Sequence, residues 1–207
     1  SLSEQVERLS KSVDVIENAK RVGLTRMHDC TGNYGGKEQW FQLLSTATES
    51  MDLMGRTLYE WIRAPELDEI LLNKINGDGV CFRWLLMSKD NLHLAQLEED
   101  GEKIGEVLAR KIEPVYKRLL AIRSRLPEDK KSLLQVRLFN QVPLYCSMLR
   151  VDDRLLVTPY LHSAASRNSP LLTLHGRNTP WARAYEREFE TVWASAAEPL
   201  PQSKLDA

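Results

Sequence analysis

The sequence predicts an α/β domain, a mixed central sheet flanked by helices, preceded by an N-terminal amphipathic helix. Three observations predict it. Runs with the period-two alternation of strands trade places with runs of helical period along the chain. Between residues 51 and 87 the order is strand, helix, Gly-bounded strand, which is a βαβ unit with a parallel pair. Later, two strand runs are separated only by Asp152-Asp153, a spacing that only an antiparallel hairpin satisfies.

In chain order, Leu2 to Arg21 is polar and helical, with Val6, Leu9, Val13 and Ile16 at spacings of three, four and three. That is the coiled-coil period. The stretch reads either as a helix that joins an upstream domain or pairs two protomers, or as an amphipathic helix packed on its own domain. A short strand at Leu24 to Cys30 leads through the loop Thr31 to Gly36 into a helix from Lys37 to Ser50. The loop has three glycines but not the spacing of a dinucleotide or Walker loop, and reads as a connector whose amides could hold an anion. Met51 to Gly55 is a compact apolar strand, Pro65 to Ile75 a helix with proline in its first turn, and Val80 to Met87 a dense strand. Residues 92–126 read as mostly helical, and Leu134 to Phe139 alternates with period two. Tyr145 to Val151 and Arg154 to Thr158 form the hairpin. Leu171 to Leu174 is a short apolar segment, and Trp181 to Ala196 is a last helix burying Ala184, Phe189, Val192 and Trp193. The expected division is 1–22 for the linker or dimerisation helix, 23–197 for the domain and 198–207 for a loose tail.

Composition bounds the function. Of 207 residues, 43% are hydrophobic and 28% charged, which suits a globular domain able to bury its own core. A net charge of −1 gives no global footprint for nucleic acid, so any nucleic-acid contact is expected through another domain. Cys30, Cys81 and Cys146 lie far apart, suit a reducing cytoplasm, and at 81 and 146 read as buried small hydrophobes. No run approaches the ~20 apolar residues of a membrane span. The chain opens at Ser1 without a methionine, and we expect a further domain upstream. His28, His93, His162 and His175 show no metal spacing, and neither metal nor cofactor is expected.

The segment from Tyr145 to His162 resembles the hairpin of the phospholipase D superfamily, whose motif is HxKxxxxD followed by a GSxN element. The preceding order fits as well: an apolar strand, a helix, a Gly-Val-x-x-Arg strand at Gly79 to Arg83, a long helix and a further strand. The resemblance runs from Trp40 through Trp193 and implies one half of a phospholipase D-like fold. In that family the motif histidine attacks phosphorus, lysine and asparagine grip the phosphate oxygens, and two motif copies meet across an interface. Here Tyr145 stands in the histidine slot, Ser147 in the lysine slot and Asp152 in the aspartate slot; Pro159, Tyr160 and His162 stand where Gly, Ser and Asn would be.

Without the lysine, little remains to neutralise a pentacovalent phosphorane. The chain is therefore expected to have no catalytic residues of the family's kind, and is similar to degenerate phospholipase D-like domains of bacterial regulatory proteins. The resemblance implies a homodimer and a ligand site of Tyr145, Ser147, Tyr160, His162, Asp152 and Arg83 for a small phosphate-bearing molecule. Two other readings stay open: a phosphodiesterase or nuclease with substituted catalytic residues, and an interaction module without a pocket.

Overall fold

The structure, a computed structural model, describes residues 2–162 and 164–198. Helix α1, Leu2–Val22, is supported by an exposed Glu7–Lys11 ion pair one turn apart and by Lys20 and Arg21 against its C-terminal dipole. It buries none of its residues. Val6, Leu9, Val13 and Ile16 are all at least half exposed, so the reading in which this helix packs its seam on its own domain is wrong. Only Ala19 and Val22 near its end turn partly inward. Gly23 then stops the helix at φ 91°, where a Cβ would meet the Thr179 hydroxyl at 2.1 Å. Glycine is required there by both backbone and space.

Seven strands form the main sheet: β1 (Leu24–His28), β2 (Ser50–Gly55), β3 (Cys81–Met87), β6 (Leu134–Phe139), β7 (Cys146–Val151), β8 (Arg154–Pro159) and β9 (Leu171–His175). A separate two-stranded ribbon is β4 (Glu98–Glu99) and β5 (Glu102–Lys103). The order across the main sheet is β1-β9-β8-β7-β2-β3-β6. β2, β3 and β6 run parallel, and every other pairing is antiparallel. The predicted βαβ unit is thus β2–β3, and the predicted hairpin is β7–β8. Met51 and Leu53 of β2 and Phe82, Trp84 and Leu86 of β3 are fully or almost fully buried and form the centre of the core.

The helices are α2 (Gly36–Ser45), α3 (Tyr59–Ile62), α4 (Glu66–Asn73), α5 (Gly105–Ser124) and α6 (Pro180–Ser195). Arg118 of α5 ties three of them together. Its guanidinium donates to Asp68 of α4 and to the carbonyls of Ile62 and Ala64 at the end of α3. α6 lies on the sheet face that carries Arg83 and Arg137. Arg83 sits over the rings of Phe189 and Trp193, and Arg137 donates to the Trp193 carbonyl at 2.7 Å.

Several expectations are corrected. The helix expected to reach Ser50 stops at Ser45, because Ala47 drops into the core and Asp152 captures the amides of residues 48–50. Residues 92–126 are not continuously helical. Asp100-Gly101, both at positive φ, turn the β4–β5 ribbon before α5 begins. In α6 the buried alanine is Ala182, while Ala184 faces solvent. Cys81 is half-buried rather than buried; Cys146 is buried. The expected loose tail lies outside the described residues apart from Glu198. No helix among the described residues is long and apolar enough to cross a membrane.

Candidate functional site

Burying an aspartate in a sheet requires cations beside it. Asp52 of β2 is 1% exposed, and the strand register sets Arg83 of β3 on one side of it and Arg150 of β7 on the other. Arg83 grips the carboxylate with two bonds, 2.7 Å from Nε and 2.8 Å from Nη2. Arg150 does the same through Nε at 2.8 Å and through Nη2. Glu190 of α6 takes the outer side of Arg83 at 2.7 Å. Burial works against the Arg83 charge, but the bonds to Asp52 and Glu190 overcome it and raise its pKa. This row joins three strands and a helix, and every charge in it has a partner. Beyond it a groove beside the start of α6 is lined by Arg177, Arg183 and Arg187, where Arg177 is paired to Glu49 at 2.6 Å.

The β7–β8 hairpin is fastened to β2 at both ends. At the turn, the Asp152 carboxylate accepts from the amides of Thr48, Glu49 and Ser50 and from the Thr48 hydroxyl, all within 3.0 Å. Burial alone would raise its pKa; the four donors outweigh that and hold the carboxyl below its ordinary range. At the opposite end, the Tyr160 hydroxyl accepts the Arg56 amide at 3.1 Å, just past the end of β2. Burial pushes the Tyr160 hydroxyl up to about 12, and Arg56 and the neighbouring Ser147 hydroxyl oppose this only in part. Gly55 makes the approach possible, since a Cβ there would lie 3.3 Å from the Tyr160 oxygen and 2.7 Å from Leu58.

The Arg56 side chain is largely buried at this end, 11% exposed, with its guanidinium 4.1 Å above the Tyr160 ring. Among the described residues its one ion pair is a distant one, Nη1 to Glu99 of β4 at 3.8 Å. Its Nε is buried with no hydrogen-bond partner. Burial accordingly lowers the Arg56 pKa, with Tyr160 and then Glu99 offsetting only part. Two residues on, Leu58 is held at φ 53°, a left-handed conformation that an apolar side chain rarely adopts. The ribbon carrying Glu99 also brings Glu98 near His162.

Of the residues singled out in the sequence, Ser147 and Tyr160 are brought together. Tyr145 meets them through its backbone: its carbonyl accepts the Tyr160 amide at 2.8 Å, while the residue as a whole is 71% exposed. His162 is exposed above the same end. Asp152 and Arg83 are not brought to this end. The first lies at the far end of β7, and the second lies beneath α6. Sequence reasoning missed Arg56, Glu99 and Asp52. Only Asp52 left a signal, as a lone carboxylate inside the apolar run Met51 to Met54. No group of three or more His, Cys, Asp or Glu gathers in metal-binding fashion among the described residues.

The fold these elements make is phospholipase D-like: a mixed sheet flanked by helices with the β7–β8 hairpin beside β2. Among solved structures it is similar to the phosphatidylserine synthase of Haemophilus influenzae Rd KW20. The TM-score is 0.54 at 11% identity, over 84% of this chain and 39% of that one. Nuc from Salmonella typhimurium, a phospholipase D family member, matches 82% of this chain over 95% of its own at 12% identity and TM-score 0.47. TrmBL2, an archaeal chromatin protein with a novel mode of DNA binding, matches 96% over 65% at 14% identity and TM-score 0.48. This chain therefore spans less than two thirds of two of the three. No protein-family model matches it, and no curated protein sequence does.

Proposed function

We propose that this chain is a non-catalytic, ligand-binding regulatory domain that takes a small phosphate-bearing molecule, such as a nucleotide, beside Arg56 at the open end of the β7–β8 hairpin. The observation that carries the reading is the under-neutralised guanidinium. A dry arginine with an idle Nε and its nearest carboxylate at 3.8 Å gains most from an anion that accepts several of its N–H groups. The Tyr160 hydroxyl lies beside it with the Ser147 hydroxyl next in turn, and both offer further polar contacts, while His162 and Tyr145 are exposed at the same end.

The same geometry speaks against turnover. Phosphoryl transfer needs a nucleophile with cations set on the phosphate oxygens. Tyr160, raised to about 12, stays protonated at neutral pH, and its oxygen is already engaged by the Arg56 amide. The proposal is tested by thermal shift of the full chain against nucleotides and phospholipid head groups, alongside Arg56→Met. At a ligand concentration ~100-fold above Kd the stabilisation is about 2.7 kcal/mol, and it should vanish in the variant. Absence of any shift in the wild type at millimolar ligand sinks the proposal.

A further inference from the structure

Among the described residues, the apolar stripe along α1 is left uncovered. Along α1, Leu2, Val6, Leu9, Val13, Ile16 and Lys20 follow the alternating four-three spacing of a coiled-coil seam through somewhat less than three heptads. Its five apolar members are 50–77% exposed. Val6 and Val13 fall at the a positions and Leu2, Leu9 and Ile16 at d, the arrangement of β-branched a and largely leucine d residues that favours two parallel strands. The flanking e and g positions, Ser3, Ser10, Glu17 and Gln5, Ser12, Ala19, hold one charge among six, so no like-charge pair arises between these flanking positions. The remaining charges of the helix, such as the Glu7–Lys11 pair, lie on the outer positions.

The way α1 leaves the domain also suits a second copy. The residues that turn toward the body at its C-terminal end are Ala19 and Val22. At 3.6 residues per turn they point roughly a third of a turn away from the seam. Two copies joined seam to seam about a parallel two-fold axis would therefore carry their domains outward rather than into one another.

We infer that α1 is a homodimerisation element that pairs in parallel with α1 of a second copy of this chain. At 1.5 Å per residue its 21 residues extend about 31 Å, and a strip about 10 Å wide covers roughly 300 Å² on each helix, about 600 Å² in all. That lies below the ~1,200 Å² of the smaller stable interfaces, so the pair is reversible and concentration-dependent. Lys20 at the last a position would stand beside Lys20 of the partner subunit. A polar residue at one a position fixes register at a cost in stability, so Lys20→Leu should tighten the pair.

The test is sedimentation equilibrium of the full chain from about 5 to about 500 µM, a range that brackets a reversible pair of this size. Wild type should pass from monomer to dimer. The double variant Leu9→Asp/Val13→Asp should weaken association by at least about 100-fold, since it buries unpaired carboxylates. Both positions are exposed in the single chain, so its thermal unfolding should be unchanged, and Asn18→Asp on the outer face should leave the dimer intact. Val6→Cys, off-centre in the helix, should cross-link to itself on oxidation above the wild-type background, which only the parallel arrangement allows. A wild type that stays monomeric across the range assigns the seam to another partner and overturns the inference. A dimer that survives the double variant, or a Val6→Cys chain that does not cross-link, also overturns it.

Discussion

Replacing Asp52 with asparagine keeps the shape of the side chain and removes its charge, leaving Arg83 and Arg150 facing each other across β2. The two guanidiniums are only 17% and 12% exposed, so water replaces little of what they lose. Breaking a buried ion pair by deleting one partner typically costs about 3–5 kcal/mol. Glu190 still pairs with Arg83, but at 58% exposure it is a weak substitute, so the lower half of that range applies. For a chain of this size each kcal/mol moves Tm by roughly 2–4 °C, so the variant should melt about 6–16 °C below wild type. Differential scanning calorimetry reads this directly, and urea unfolding should show a lowered midpoint at unchanged slope. The triple variant Asp52→Leu/Arg83→Met/Arg150→Met should regain much of the loss, because an apolar row of similar volume removes every buried charge together. A loss under about 1 kcal/mol for Asp52→Asn would show that Arg83 and Arg150 reach solvent, and the reading of Asp52 as the sheet's electrostatic pin would be refuted.

Four further outcomes follow from named contacts. Tyr160→Phe removes the acceptor of the Arg56 amide while keeping the ring beneath the guanidinium, and should cost about 1–3 kcal/mol in chemical denaturation. Asp152→Asn should cost about 1.5–3 kcal/mol near pH 7, from weaker bonds to three amides and a hydroxyl. Because the folded carboxyl titrates below its ordinary 3.8, its contribution is full above that value and is lost as pH falls through the lower folded value; the gap between wild type and variant should close there. Gly105→Ala should destabilise by about 1–3 kcal/mol, as its Cβ would sit 2.3 Å from the Leu94 carbonyl oxygen, a backbone atom that cannot yield. Arg56→Met should leave the unliganded protein as stable as wild type or slightly more so, since it removes a half-satisfied buried cation, and calorimetry without ligand checks it.

The fold was legible where one physical pattern spoke alone. Leu134–Phe139 alternates, the hairpin turns on two aspartates, and the Gly-bounded run ending at Met87 follows a helix, so each was read within a residue or two. The reading failed where two signals competed. Residues 92–104 carry leucines at helical spacing, yet Asp100-Gly101 is a turn signal strong enough to fold β4 onto β5. The site was less legible still. Arg56 follows a strand in a segment with no period, and its partners Glu99 and Tyr160 lie 43 and 104 residues away. Asp52 could have been found: a carboxylate in a buried strand demands cations on the adjoining strands, and Arg83 and Arg150 are the ones in register with it.

Asp152 and Tyr160 both bind backbone, at opposite ends of β2. Six residues at ~3.3 Å separate the clamps by about 20 Å, the full length of the strand. The carboxylate fixes the hairpin's turn to the amides before β2, and the phenol fixes its open end to the amide after it. Between them Asp52 holds Arg150 of the same hairpin. Three attachments to one strand over-determine the hairpin's register, and such surroundings allow a left-handed Leu58 and a dry, half-paired Arg56 to persist at the rim. Asp152 and Tyr160 thus serve as fastenings, and the unmet hydrogen-bonding demand lies on Arg56, just past the end of β2. A ligand that meets it would bear on Arg56, Glu99 and Tyr160 together, tying the β4–β5 ribbon to the end of the hairpin.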